Sequence, residues 1–288
     1  MDVLTQFSSE LRSLWPQHHM PFSQYDWHKS WYDVFGANES LVVCADRTGL
    51  IPLAIKNGVA HFTGGEEIAD YLDALGSPDW TDAMTILRNH GATQLLLRNI
   101  PDGSLTLSFF QRLRQATISK EDTTPILTLP ITFDAYQAAL GRKERHELRR
   151  KMRRFEEQYK DTSVQRTIDI PLLLALMRGS SEKKVFLTSD MEAFFQTLPA
   201  VVPELNQFTL VAGQKPVATT VAFRVDQSLL LYNSGYELEG SGWYLKAKII
   251  EWAISETLTT LNFLQGGERY KYDFGATDFP VYRVELPL

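Results

Sequence analysis

Two short stretches in the last third of this 288-residue chain hold residue types suited to handling phosphate and protons. The first is Glu239-Gly240-Ser241-Gly242-Trp243-Tyr244, with Lys246 and Lys248 just beyond it. It separates an apolar run from a segment with helical spacing, so it reads as a strand-to-helix turn. The first amide N–H groups of a helix lack intrahelical partners, and the macrodipole adds partial positive charge there. Glycines let a diphosphate approach such a backbone without meeting a Cβ. Gly240, Ser241, Gly242, Trp243, Tyr244 and Lys246 are therefore candidate binders of a phosphorylated cofactor. An ordinary turn with a Ser N-cap has the same appearance, and spacing alone does not separate the two.

The second stretch, NFLQGGERYKYDFG, ends a strand candidate and then gathers Glu268, Arg269, Tyr270, Lys271 and Asp273. Ligand sites of open α/β sheets lie at the carboxyl ends of strands. A carboxylate, a phenol and an amine placed there suit the parts of base, acid or charge clamp. The plain alternative is a solvated loop with one surface salt bridge.

These stretches need elements to hold them. Phe208 to Ala212 and Val217 to Val225 flank Gly213-Gln214, which predicts a hairpin, and Leu229 to Tyr232 predicts a third strand. Leu245, Ile249, Ile250, Ala253, Ile254 and Leu258 form the apolar face of a helix after the glycine turn. Leu261 to Leu264 then lies parallel to its predecessor if that helix crosses over. Upstream, Leu148, Met152, Phe155 and Tyr159 form a narrow apolar seam on the charged helix GRKERHELRRKMRRFEEQYK. Short helices are expected after Thr132, over Pro171–Gly179 and over Ser189–Leu198, with a strand from Ser163 to Ile168. Val281 to Leu286 closes the chain as a strand.

The first half repeats the theme. Helical spacing runs from Leu4 to Leu14, and an aromatic helix from Ser23 to Gly36 sets Tyr25, Trp27, Trp31, Tyr32 and Phe35 together as core. Leu41–Ala45, Leu50–Ile55 and Val59–Phe62 predict an antiparallel meander. EEIADYLDAL reads as a helix start, Trp80–Asn89 as a helix, Gln94–Asn99 as a strand and Ser104–Gln115 as a helix. Ala116 to Pro125 is polar and aperiodic and reads as the connection between halves. The expected domains are 1–130 and 131–288.

Composition bounds the rest. A net charge of −6 opposes non-specific nucleic-acid binding by the whole chain. The single cysteine, Cys44, excludes an internal disulfide and a multi-cysteine zinc site. Its apolar strand setting marks it as a small core residue. The six histidines are scattered and no zincin motif occurs, so no metal is expected. No Walker loop or nucleophile-elbow serine occurs either. The N-terminus lacks the apolar core of a signal peptide and no run is long enough to span a membrane, so cytoplasm is the expected compartment.

The runs FTLVAGQKPVATTVAFRV, LLLYNSGYELEGSGWYLKAKIIEWAI and NFLQGGERYKYDFGA resemble the C-terminal domain of CelD/BcsL-like acetyltransferases of the GNAT superfamily. Phe263, Leu264, Gly266, Glu268, Tyr270 and Lys271 stand at the spacing of that family's Asp-Phe-Leu-x-Gly-x-Glu-x-Tyr-Lys segment. Asn262 replaces its usual Asp, and Gly240-Ser241 replaces the Ser-Pro before the loop glycine, Gly242. Weaker likeness extends upstream through Trp27 and Trp31, Ile51-Pro52-Leu53, Asp70-Tyr71, Ile100-Pro101 and the basic helix Arg142–Arg154.

The resemblance implies an α/β (α+β) protein of two GNAT-like domains, as in Fem-type transferases, each a mixed, mainly antiparallel sheet flanked by helices. It implies an acyltransferase that moves an acetyl or other acyl group from acyl-CoA to an amine or hydroxyl, on a sugar, envelope precursor or other small molecule. It assigns the diphosphate to the Ser241–Tyr244 backbone and Lys246, the base to Glu268 or Glu237, and the acid to Tyr270. Asp70, Tyr71 and Lys271 are then candidate acceptor-binding residues. Two other readings accompany it. Fem-type transferases use aminoacyl-tRNA, which the basic helix would suit, and a fold that has lost its chemistry would serve as a binding module.

Overall fold

Ser8 starts the first helix by accepting a hydrogen bond on Oγ from the Leu11 amide, 3.2 Å away. That helix, α1 (Ser9–Leu14), follows a short strand, β1 (Asp2–Leu4), where helical spacing from Leu4 had predicted helix throughout. The computed structural model describes residues 1–288, which divide into two compact units: Met1–Thr124 with Phe279–Leu288, and Pro125–Asp278.

In the first unit, α2 (Tyr25–Phe35) buries Tyr25, Trp27 and Trp31 as core, whereas Tyr32 and Phe35 are only half-buried. Trp27 also satisfies its indole N–H by donating to the Gly64 carbonyl at 2.9 Å. The meander follows as β2 (Ser40–Ala45), β3 (Gly49–Lys56) and β4 (Val59–Phe62), antiparallel throughout. A two-residue β5 (Leu75–Gly76) pairs with the start of β3. Capped by the Asp79 carboxylate, α3 (Trp80–Asn89) crosses over to β6 (Gln94–Pro101), which runs parallel to β4. The short α4 (Leu105–Phe110) and β7 (Thr117–Thr123) complete this part.

Two expectations fail here for non-local reasons. The segment after Gly65 forms turns, not a helix. Asn99 Nδ2 donates to the carbonyls of Glu66 and Ala69 at 2.8 Å each, diverting acceptors that a helix would use. The aperiodic stretch after Ala116 is a strand, because its partner lies at the far end of the chain.

The second unit begins with β8 (Ile126–Thr128) and α5 (Phe133–Ala139), capped by Thr132. The basic helix is α6 (Arg142–Gln158), with Leu148 and Phe155 buried along its seam. Then come β9 (Thr162–Gln165), α7 (Ile170–Met177), α8 (Ser181–Phe186) and α9 (Ser189–Val201). Next are β10 (Leu205–Ala212), β11 (Lys215–Val225), β12 (Ser228–Tyr236), α10 (Ser241–Ser255), β13 (Thr260–Asn262) and α11 (Arg269–Asp273). The sheet order is β8-β13-β12-β11-β10-β9. Only the β12/β13 pair is parallel. Leu245, Ile249, Ile250 and Ala253 of α10 are fully buried in one core with Leu148 and Phe155 of α6. The Leu and Ile side chains each contribute about 1.5–3 kcal/mol by leaving water.

The last strand, β14 (Pro280–Pro287), lies between β6 and β7, giving the first sheet the order β1-β2-β3-β4-β6-β14-β7. The two compact units divide at Thr124/Pro125, and residues 279–288 belong with the first.

Candidate functional site

The parallel β12/β13 pair is the origin of the site. It is registered only from Ser228–Leu230 against Thr260–Asn262. Beyond Asn262 the chain turns away, with Asn262 Oδ1 accepting from the Leu264 amide at 2.8 Å and the Phe263 amide donating to the Pro125 carbonyl at 2.9 Å. β12 continues along β11 to Tyr236, with its register shifted between Val221 and Ala222. Beyond Leu230, β12 thus has a strand on one side only. A cavity of about 200 Å3 lies at this opening, lined by Asn233 and Ser234 of β12, Glu268, Tyr270 and Lys271 of the second stretch, and Lys246 of α10.

A second cavity, about 500 Å3, adjoins the glycine turn, with Arg150, Lys151 and Arg154 of α6 facing Gly240, Trp243 and Tyr244. Gly240, at φ 79°, takes the left-handed conformation that starts α10. Ser241 is fully buried and its Oγ donates to the carbonyls of Leu238 and Val217 at 2.6 and 3.2 Å, which ties the turn to β11. The Ser241 and Tyr244 amides bond to Leu238 and Gly240. The Gly242 and Trp243 amides have no partner in the chain, as the helix start predicts. A Cβ on Gly242 would come within 2.8 Å of the Tyr236 ring, so the close approach requires glycine.

Residues 142–272 match the family model described as acetyltransferase (GNAT) domain. The fold of the whole chain is similar to a tandem GNAT protein from the clavulanic acid biosynthesis pathway, with TM-score 0.53, 12% identity and coverage of 98% of this chain and 96% of that one. It is also similar to FemX, at TM-score 0.64, 10% identity and coverage of 100% and 98%. A conserved protein of unknown function from Bacteroides thetaiotaomicron VPI-5482 aligns over 100% of both chains at TM-score 0.68 and 10% identity. Residues 142–272 are thus similar to GNAT domains. No curated protein sequence matches the chain. At these identities the structural likenesses concern fold, and they support the expected pair of mainly antiparallel sheets flanked by helices.

The residues named from sequence separate into three groups. Glu268, Tyr270, Lys271 and Lys246 line one cavity. Burial, then the Glu268 and Tyr236 charges, pushes the Tyr270 phenol well above its ordinary range, so it stays protonated. Lys271 is buried, and its Nζ donates to the carbonyls of Leu264, Gln265 and Gly266 at 3.1, 2.6 and 2.8 Å while lying 2.9 Å from Glu268 Oε2. Its hydrogens are spent on holding the loop, which argues against the expected acceptor-binding role. Lys246, expected at the diphosphate, points into this cavity: Nζ is 3.3 Å from Ser234 Oγ and 5.2 Å from the centre of the Tyr270 ring. Burial, followed by repulsion from Lys183 and Lys271, lowers its pKa to about 7.

The second group stays at the turn. Trp243 stacks on Phe274 at 4.8 Å with Lys151 Nζ 4.8 Å from its ring centre, and its indole N–H is buried without a partner. Tyr244 is chiefly core: it stacks on Phe155 at 4.4 Å, and its hydroxyl donates to Glu156 Oε1 at 3.0 Å. Burial and that carboxylate raise its pKa to about 12.

The third group lies elsewhere. Glu237 pairs with Lys215 at 2.6 Å on the surface and lines neither cavity. Asp70 and Tyr71 belong to the first unit, where the buried Tyr71 donates its hydroxyl to Thr124 Oγ1 at 2.6 Å. Lys183 of α8 was missed. It lines the 200 Å3 cavity, donates to the Ser234 carbonyl, and has its pKa lowered chiefly by burial. Within SSEKKVF nothing marks it from the sequence. No group of His, Cys, Asp and Glu residues suited to a metal occurs, and no helix is long and apolar enough to cross a membrane.

Proposed function

We propose that this chain transfers an acyl group from an acyl-CoA thioester, acetyl-CoA being the first to test, to an amine or hydroxyl acceptor. The observation that carries this reading is the unpartnered start of α10 beside a cavity lined by three cationic side chains. The Gly242 and Trp243 amides hold the diphosphate, and Arg150, Lys151 and Arg154 attract the remaining phosphate charge. Arg150 is partly compensated by Glu147 at 2.8 Å, whereas Lys151 lies over Trp243. The bound thioester supplies an activated acyl carbon and a thiolate leaving group. Glu268, whose side chain is 57% exposed, takes the acceptor's proton, and the protonated Tyr270 phenol is the proton donor to the departing sulfur.

The likeness of the last third to CelD/BcsL-like sequences supports a sugar or envelope precursor as acceptor. Aminoacyl transfer from tRNA is the second reading, favoured by the cationic face of α6 at the turn. Calorimetry with acetyl-CoA and with tRNA, followed by thiol release on adding amine and sugar acceptors, separates the cases. Micromolar acetyl-CoA binding with acceptor-dependent thiol release is the expected result. Binding of tRNA alone supports aminoacyl transfer, and silence with both supports a binding module.

A further inference from the structure

The cavity at the β12/β13 opening brings three lysines together around one carboxylate. Lys183, Lys246 and Lys271 line it, and Glu268 is the sole acidic side chain among its walls. Glu268 Oε2 is taken by Lys271, whose ammonium already meets three carbonyls. That leaves two ammonium groups without a counter-ion. Lys183 Nζ donates to the Ser234 carbonyl, and Lys246 Nζ makes one long bond, 3.3 Å, to Ser234 Oγ. Each has three hydrogens to place. Both therefore keep donors free, and Lys246 is only 7% exposed to water that would otherwise satisfy them.

We infer that this cavity seats an anionic oxygen group, a carboxylate or phosphate, of the acyl acceptor, held by the ammonium groups of Lys183 and Lys246. The identity of the bearer as acceptor rests on the proposed acyl transfer; the anion site itself does not. Burying an ammonium without a partner costs several kcal/mol. A charge-assisted bond to an oxyanion offsets that cost. The lowered pKa of Lys246 fits this account. The titratable groups around it are Lys183 and Lys271, which repel its charge, Glu268, which favours it, and Tyr270, which lies beneath it. The volume of about 200 Å3 equals several waters at roughly 30 Å3 each, enough for a carboxylate and its adjoining carbon.

The test uses the full chain with lysine labelled at 13Cε and 15Nζ, its signals assigned through Lys183→Met and Lys246→Met. Acetate and inorganic phosphate are titrated separately. Either anion should raise the midpoint of Lys246 by about one pH unit, which corresponds to about tenfold tighter binding to the charged form. Surface Lys215 should not follow, and Lys183→Met should weaken the effect. The response to acetate against phosphate tells which headgroup fits. An unmoved Lys246, or a drift shared with Lys215, overturns the site. A second arm compares glycine, glycinamide and phosphoethanolamine as acceptors with acetyl-CoA. The anionic amines should be favoured about tenfold in kcat/KM, through KM, and Lys246→Met and Lys246→Gln should remove that preference. If these variants weaken acetyl-CoA binding and leave acceptor preference intact, the anion belongs to the donor and the acceptor assignment falls. If acetyl-CoA neither binds nor reacts, the acyltransferase reading falls while the titration still decides the anion site.

Discussion

Lys246 of α10 lies with its ammonium nitrogen 5.2 Å from the centre of the Tyr270 ring, so the helix that starts at the glycine turn also furnishes the wall of the neighbouring cavity. One helix thereby borders both cavities: its unpartnered amides lie beside the larger one, and its second turn faces the opening between β12 and β13.

That burial has a signed consequence for stability. A lysine ordinarily ionises near 10.5, and Lys246 in the folded chain does so near 7. Between those values the unfolded chain binds a proton that the folded one refuses, so this group's contribution favours folding more as pH rises. The slope is about 1.4 kcal/mol per pH unit. Lys246→Met lacks it. The stability of the variant minus that of wild type should therefore fall by about 2 kcal/mol from pH 7 to pH 9, read from urea unfolding at each pH. A difference independent of pH would show that Lys246 is not titrating in this window.

Lys271→Met should behave in the opposite way to Lys246→Met at neutral pH. It strips three loop carbonyls of their donor, where Lys246 gives up one long bond. The expected loss is roughly 2–4 kcal/mol, seen as a lower Tm. Lys246→Met should leave Tm unchanged or raise it, because apolar replacement relieves a buried charge. Equal effects of the two changes would contradict the donor inventory.

The two carboxylates named as bases should separate. Glu237 and Lys215 form an exposed pair at 2.6 Å. Such pairs contribute about 0–1 kcal/mol, so Glu237→Gln should keep kcat/KM within about twofold. Glu268→Gln should lower kcat by about a hundredfold or more, with its Tm checked beside it. Unchanged turnover in Glu268→Gln removes that residue as the base.

The cationic face of α6 should govern donor affinity in a salt-dependent manner. Changing Arg150, Lys151 and Arg154 together to Gln should weaken acetyl-CoA binding about tenfold or more at low ionic strength and flatten its salt dependence. Arg153, 74% exposed and 3.7 Å from Glu157, lies outside the cavity, so Arg153→Gln should change neither. An equal loss from both would mean that net charge, not this cavity, sets the affinity.

The amino-acid sequence by itself determined what depends on near neighbours. The four-three-four spacing from Leu148 to Tyr159 made α6, the apolar period from Leu245 made α10, and Gly240 and Gly242 made the turn with its unpartnered amides. These features follow from helical period and backbone freedom, which act over a few residues. Tertiary structure decided what depends on distant partners. It placed β14 between β6 and β7, made a strand of an aperiodic stretch, and let Asn99 take the carbonyls of a predicted helix. It also turned Lys246 away from the glycine turn and set Lys183 of α8 beside it. Strand pairing and side-chain burial join residues far apart in the chain, and no local period encodes which of them will meet.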